Sequence, residues 1–370
     1  MSHQRLHIAI AGSRGIPSGY SGYETFAEEL AVRLVRRGHR VTVYCRKGFF
    51  RERPRHYRGV ELIYLPAINT KNFSTLTHSL VTVLHLYRHR PDIVLFVNVA
   101  TAPFCCMTRL YRVPTVLNVD GMEWLRPKWS ALGRKYFLLS ARIARYCADR
   151  VVTDAYAMQE IYQRQFHTDS EVIAYGAEEG FAQNPERVRG LGLEPGRYFF
   201  TACRLVPDNN VDLLVTAFRN SSVQMKYALA GGTPYRSAYV DRLKTLADDR
   251  VVFLGHIDDH ALIRELHCNA YAYLHGHQYG GTNPTLLKAL ACGNCVLALD
   301  TPFNREVLGQ YGIFFPKDAE RVRLEIEAVA ADSEKRDRLS SSARERIRQR
   351  YTWDLVVDKY ESLFRRLAGC

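Results

Sequence analysis

The sequence predicts two doubly wound α/β domains, and three observations carry that prediction. The chain opens on a β-α-β unit with a glycine-rich first crossover. Strand and helix patterns then alternate along its whole length. A stretch rich in glycine and proline, "GFAQNPERVRGLGLEPG", separates two such series. At 370 residues the chain also exceeds what one hydrophobic core usually serves.

In the first series, residues 6–11 form a short apolar run, followed at once by "GSRGIPSGYSG". From Glu24 to Arg37 the pairs Phe26/Ala27, Leu30/Ala31 and Leu34/Val35 recur at helical spacing, and Gly38 is placed to end that helix. "RVTVYC", "VELIYLPA", "DIVLFVN", "PTVLNVDG", "DRVVTDA" and "SEVIAYGAE" read as strands. Helices are expected over 74–87 and 136–147. Leu76, Leu80, Val83, Leu84 and Tyr87 make an apolar stripe on the first of these, expected to pack on the sheet.

In the second series "YFFTACRL", "QMKYALAGG", "RVVFLG", "AYAYLHG", "CVLALD" and "GIFFP" read as strands. Helices are expected over 210–218, 235–246, 259–266 and 283–291, with three more after residue 318. The expected domains are residues 1–180, residues 181–352, and a closing amphipathic helix, 353–370, returning to the first domain.

Composition narrows the partners. The apolar share is 47% and the charged share 24%, ordinary for a soluble chain, while the formal charge of +13 favours an anionic partner. The excess is uneven: ten Lys/Arg lie between Arg33 and Arg58 against Glu52 alone, and seven between Arg126 and Arg150 against Asp149 alone. The basic runs lack interleaved aromatics and the helices lack a recognition motif, so nucleic acid is not the expected partner. An anionic membrane surface remains. No apolar run approaches a membrane span, so such contact would be peripheral. The nine cysteines show no disulfide framework, and the expectation is reduced, mostly buried thiols of a cytoplasmic protein. Cys292-x-x-Cys295 lacks a second ligand pair, and no DxD-type motif sits in a plausible loop, so no metal is expected.

Open parallel sheets bind ligands beyond the carboxyl ends of their strands. "GSRGIP" fails the dinucleotide fingerprint, since Pro17 lacks an N–H, and there is no phosphate loop with lysine. "HGHQYGGTNPTLLKALACG" is more informative. After a strand, Gly280, Gly281, Thr282 and Asn283 lead into a helix starting at Pro284, with Asn and Pro in helix-start positions. Such a helix start suits a diphosphate, although the same residues also read as a cap and a turn. Arg204, at the end of the second series' first strand, can meet phosphate oxygens in bidentate fashion.

Together "GSRGIPSGYSGYETFAEELAVRLVRRGHRVTVYCR", "NVDGMEW", "YGAEE", "RLVPDNN", "GGTNPTLLKALACG" and "FNREVLG" resemble the retaining GT-B glycosyltransferases. The likeness is to the bacterial β-1,4-rhamnosyltransferase branch of capsule and cell-wall polysaccharide synthesis. It spans nearly the whole chain. It implies two Rossmann-like domains facing across a cleft, the first for acceptor and the second for a nucleotide-sugar donor. It further implies transfer of a sugar, L-rhamnose from dTDP-L-rhamnose, to a polyprenyl-diphosphate-linked saccharide at the cytoplasmic face of the inner membrane, with no cofactor. A UDP-hexose donor is the alternative, and an epimerase or an inactive donor-binding partner are further ones.

By the same resemblance, Ser21, Gly22, Tyr23 and Glu24 match the family's glycine loop near the donor phosphates and sugar, with Ser21 in place of a glycine. Asp120 takes the polar contact to the reacting centre, and Arg204 and 280–283 hold the diphosphate. Where many relatives carry a lysine after that arginine, this chain has Asn209. Gly280 and Lys288 occupy the positions of the superfamily's two glutamates. Lysine cannot accept the ribose hydroxyl hydrogen bonds that a carboxylate accepts, so Glu306 is a substitute candidate.

Overall fold

The structure is a computed structural model and describes residues 4–19, 22–70, 73–233 and 237–370. Ser21, and Tyr235 at the start of one expected helix, lie outside the described residues. The chain divides into two compact units. Residues 1–175 and 353–370 form one, and residues 176–352 the other.

In the first unit the strands are β1 (His7–Ala11), β2 (Arg40–Arg46), β3 (His56–Tyr57), β4 (Val60–Leu65), β5 (Ile93–Val97), β6 (Thr115–Val119), β7 (Arg150–Thr153) and β8 (Ser170–Val172). They lie in the order β3-β4-β2-β1-β5-β6-β7-β8, all parallel except the edge hairpin of β3 with β4. The helices are α1 (Gly22–Arg36), α2 (Ser74–His89), α3 (Ala102–Leu110), α4 (Ala131–Cys147) and α5 (Tyr156–Phe166). Helix α1 buries Phe26, Ala27, Leu30, Ala31 and Leu34, the stripe its spacing predicts. Gly38 ends it with φ +93°, its N–H bonded to the Val35 carbonyl at 2.9 Å.

The closing helix (Trp353–Ala368) packs on α1 in this unit. Tyr360 lies 5.4 Å from Phe26, ring to ring, and the buried Asn118 amide donates to its hydroxyl at 2.9 Å. Glu361 accepts from Arg37 at 2.9 Å and meets the buried His39 at 3.2 Å.

In the second unit a short helix α6 (Glu186–Arg189) precedes β9 (Tyr198–Ala202), α7 (Val211–Arg219), β10 (Lys226–Ala230), α8 (Ala238–Leu246), β11 (Val251–Gly255), α9 (His260–Cys268) and β12 (Ala272–His275). Then come α10 (Pro284–Ala291), β13 (Val296–Leu299), α11 (Pro302–Leu308), β14 (Gly312–Phe315), α12 (Ala319–Ala331) and α13 (Ser333–Arg350). The strand order is β11-β10-β9-β12-β13-β14, with every pairing parallel. Each unit is thus doubly wound, and sheet growth reverses between β1 and β5 in the first and between β9 and β12 in the second.

Several expectations change. The division falls between Tyr175 and Gly176, ahead of the glycine- and proline-rich stretch. That stretch is packed into the second unit through buried Val188 and Leu193, with Gly196 N–H bonded to the Asn269 carbonyl at 2.7 Å. The strand expected from Ser170 stops at Val172, and the chain leaves the sheet edge there. Helices α3 and α5 were not expected; α3 has only nine residues, and α5 is largely polar with Met158, Tyr162 and Phe166 on its buried face. Cys106 on α3 and Cys147 at the end of α4 form a disulfide, so those two thiols are not reduced as expected; α3 packs along α4 and brings together cysteines 41 residues apart.

The stripe on α2 packs only in part, through buried Val83 and half-buried Leu76. Ser74, His78, Ser79 and Thr82 are buried beside Val83 and Leu86, while Leu80, Leu84 and Tyr87 are exposed. At its first turn this polar face serves the buried Arg46 guanidinium, which donates to the hydroxyls of Ser74 and Thr75, each at 3.1 Å.

Phe364, fully buried in the closing helix against Tyr360, tests how far that helix holds the first unit together. Phe364→Ala is expected to cost about 3–5 kcal/mol, read as a lower urea midpoint. A midpoint equal to wild type would mean the helix contributes little.

Candidate active site

In the first unit the site grows from the end of β6. Asp120 follows Val119, and Gly121, at φ +64°, turns the chain away. One carboxylate oxygen accepts the Tyr23 hydroxyl from the first turn of α1. The other accepts the Tyr175 hydroxyl at 2.9 Å. Tyr175 is buried against Phe26, their ring centroids 5.1 Å apart. Burial raises the pKa of Asp120, with the Tyr23 hydrogen bond working in the opposite direction. Burial and the neighbouring Asp120 charge raise Tyr23 and Tyr175 well above the ordinary phenol value, so both stay protonated donors. The arrangement fixes the carboxylate's position and leaves each oxygen further acceptor capacity.

Glu24 is not part of that contact. It is buried under the loop after β1, accepting from the Arg14 backbone N–H at 3.3 Å, and its second oxygen makes no hydrogen bond among the described residues. Its charge supports Arg46, whose pKa burial lowers to about 10. Gly22 opens α1, partly exposed.

Glu123, three residues past Asp120 in "NVDGMEW", was missed in the sequence. It is buried, pairs with Arg126 at 3.1 Å and Lys128 at 2.9 Å, and accepts the Trp129 indole N–H at 2.5 Å. Burial would raise its pKa, but the two cations and the indole outweigh burial and hold it at about 2. The second basic run therefore loses Arg126 and Lys128 to a buried carboxylate. The first run is broken up further: Arg33 pairs with Glu29, Arg37 with Glu361, Arg40 with Glu61, and Arg46 is buried. It is not the continuous basic surface its spacing suggested.

In the second unit Arg204 and the 280–283 loop lie in the segments that follow β9 and β12, the two strands at the sheet reversal. Arg204 lies two residues beyond β9, partly exposed, and its guanidinium forms no ion pair among the described residues. The Asn209 amide donates to the Arg204 carbonyl at 2.7 Å, holding the turn that carries it. So Asn209, in place of the relatives' lysine, works on the backbone. The Asn210 amide reaches the Gly276 carbonyl, beyond β12, at 2.8 Å. A side chain at Gly276 would collide with the Asn209 carbonyl, so only glycine lets the two loops pack.

The loop 276–283 is secured from three further places. Gln278 N–H donates to the Asp208 carbonyl at 3.2 Å, Asn304 donates to the His277 carbonyl at 3.1 Å, and Lys317 donates to the Gln278 side chain at 2.9 Å. Asn304 was missed, although a buried asparagine in "FNREVLG" is the residue type that ties loops through its amide. Asn283 caps α10 as its cap reading predicts, accepting from Thr285 N–H at 3.0 Å and its hydroxyl at 2.7 Å, with Pro284 first in the helix. Gly281 and Thr282 are buried, Gly280 partly so. Lys288 lies one turn in, and its charge acts on His267 and Cys292. Glu306, on α11, is partly exposed; its carbonyl accepts from Arg346 at 2.6 Å, and its charge raises the Tyr351 pKa. A guanidinium and a helix start at one reversal point make an arrangement suited to a diphosphate. Among the described residues no cluster of three or more His, Cys, Asp or Glu is placed to hold a metal ion.

Residues 21–176 match the family described as glycosyl transferase 4-like domain, and residues 185–346 match glycosyl transferases group 1. The chain is a glycosyltransferase of the GT-B type. Its fold is similar to that of a sucrose-phosphate synthase from Thermosynechococcus elongatus, with TM-score 0.83 and 18% identity over 99% of this chain and 100% of that one. It is likewise similar to Anabaena HepE, solved with UDP-glucose, with TM-score 0.77 and 17% identity over 97% and 99%. WaaG, a glycosyltransferase involved in lipopolysaccharide biosynthesis, matches with TM-score 0.71 and 15% identity over 99% and 100%. No curated protein matches the chain in sequence.

The acid limb of stability tests the Glu123 cluster. An unfolded glutamate titrates near ~4.3, whereas folded Glu123 is held at about 2. Its stabilisation is therefore present above the unfolded value and lost as pH falls toward 2. Glu123→Gln is expected to destabilise the protein at pH 7 and to flatten the loss of stability between ~pH 5 and ~pH 2, followed by urea unfolding at each pH. An unchanged acid limb would contradict the pairing.

Proposed function

We propose that this glycosyltransferase moves a hexose from a UDP-hexose donor to a saccharide acceptor, retaining the anomeric configuration. The acceptor is proposed to be linked to a polyprenyl diphosphate in bacterial surface polysaccharide synthesis, at the cytoplasmic face of the membrane. The observation that carries the donor half is the position of Arg204 and the 280–283 loop at the same sheet reversal. The nucleotide choice is supported by HepE, whose solved complexes hold UDP, UDP with glucose, and UDP-glucose. The acceptor class is supported by the sequence resemblance and by the role named for WaaG. A dTDP-L-rhamnose donor is the second reading, favoured by Gly280 at the position where the broader superfamily carries a glutamate.

In this reading the bond between the anomeric carbon and the donor phosphate oxygen breaks as the acceptor oxygen bonds to that carbon from the same face. The acceptor proton passes to the departing phosphate oxygen. Negative charge grows on the diphosphate, and Arg204 with the loop's N–H groups stabilises it without a metal ion. Asp120, held by Tyr23 and Tyr175, orients the acceptor hydroxyl. Glu24 supports the loop after β1, and Gly22 gives close approach. Lys288 and Glu306 are assigned to the nucleotide end of the donor.

Arg204→Ala is expected to lower turnover by ~10²-fold or more, with Arg204→Lys recovering part of the loss because a point charge lacks the bidentate fork. Turnover of Arg204→Ala equal to wild type would remove Arg204 from the assignment. Competition between UDP-glucose and dTDP-L-rhamnose for the same site separates the two donor readings.

A further inference from the structure

The helices on one side of the first unit carry an unusual surface. Helix α2 turns a largely polar face inward and leaves Leu80, Leu84 and Tyr87 in solvent. Leu110, ending α3, is 80% exposed, and Leu132, opening α4, is 78% exposed. Further along α4, Leu139 and Tyr146 are exposed as well. Scattered exposed leucines are ordinary, but here they belong to neighbouring helices. The tilted rings of Tyr87 and Tyr111, just past α3, lie 4.8 Å apart centroid to centroid and so join α2 to α3. The Cys106–Cys147 disulfide and the Arg109 hydrogen bond to the Tyr146 carbonyl, at 2.7 Å, join α3 to α4.

Charge on the same helices has one sign. None of α2, α3 and α4 contains an Asp or Glu. Arg134, Lys135 and Arg142 of α4 are exposed and form no ion pair among the described residues, and Arg88 is exposed at the end of α2. Asp149, just beyond α4, is occupied by the Thr115 N–H at 2.8 Å and by Arg109 at 3.4 Å. A face for a protein partner at random would mix both signs. Leucines and tyrosines among unpaired cations suit a bilayer whose headgroups are anionic and whose acyl boundary accepts apolar side chains. No helix among the described residues is long and apolar enough to cross a membrane.

We propose that the α2–α3–α4 face docks the enzyme on an anionic lipid bilayer, with Leu84, Leu110 and Leu139 entering the headgroup boundary and the cations of α4 meeting lipid phosphates. The proposal gives a surface to the membrane association in the functional reading above and rests on that reading.

Flotation of the full chain with vesicles of phosphatidylcholine, with and without phosphatidylglycerol, tests it. Binding is expected to the anionic vesicles and to weaken with salt. Arg134→Gln with Lys135→Gln is expected to reduce partitioning on the order of tenfold or more, and Leu84→Asp with Leu139→Asp at least as much. These positions lie outside the proposed site, so both double variants are expected to keep wild-type transfer to a soluble saccharide acceptor. No binding to anionic vesicles at low salt, or binding that neither double variant weakens, overturns the docking face. A dimer that the leucine substitutions dissolve, without vesicle binding, would assign the face to a second copy and also overturn it. Lost vesicle binding with intact transfer in the wild type defeats only the docking inference. Intact vesicle binding without transfer from any donor defeats only the functional reading.

Discussion

The Asn210 amide bonded to the Gly276 carbonyl is the constraint on which the second unit's site depends. One of these residues follows β9 and the other β12, the two strands between which the sheet reverses. Their bond welds the Arg204 turn to the loop that opens α10. It is possible only because position 276 has no side chain. The phosphate role proposed for Arg204 calls for a guanidinium held still, since a preorganised donor need not reorganise as charge develops. Asn209 on the Arg204 carbonyl and Asn304 on the His277 carbonyl extend the same scheme, in which side-chain amides replace the backbone ladder that loops lack.

The first unit uses acids differently. Asp120 and Glu123 are three residues apart, yet burial pushes Asp120 up while cations hold Glu123 at about 2. Glu123 has two cationic partners and an indole, and so is a firmly ionised anchor for the segment 123–129. Asp120 is hydrogen-bonded by two neutral phenols, and the charges of Arg126 and Glu123 act on it in opposite directions. That difference in partners, rather than depth alone, separates the pKa directions of the two carboxylates.

Much of the fold was legible in the sequence because its signals are local. The α1 stripe, the Gly38 stop and the Asn283–Pro284 start are each set by a few adjacent residues, and all three appear where those residues place them. The reversal of each sheet follows from alternation of strands and helices, but which strands flank it does not. What stayed hidden depends on distant partners. Tyr175 reaches Asp120 across 55 residues, and Cys106 meets Cys147 only because α3 lies along α4. The α2 stripe misled in part, with Val83 buried and Leu80, Leu84 and Tyr87 exposed, because helical periodicity identifies an apolar face without saying how much of it is covered. Buried Arg46 claimed the polar side. The basic runs misled for a related reason, since linear density of cations says nothing of the carboxylates that fold against them.

The central claim is that the donor diphosphate rests between Arg204 and the 280–283 loop. A crystal structure of the protein with UDP tests it most directly. The account predicts diphosphate oxygens at ~2.7–3.0 Å from the Arg204 guanidinium and from loop N–H groups. UDP bound with its diphosphate away from both the Arg204 guanidinium and the loop would contradict it.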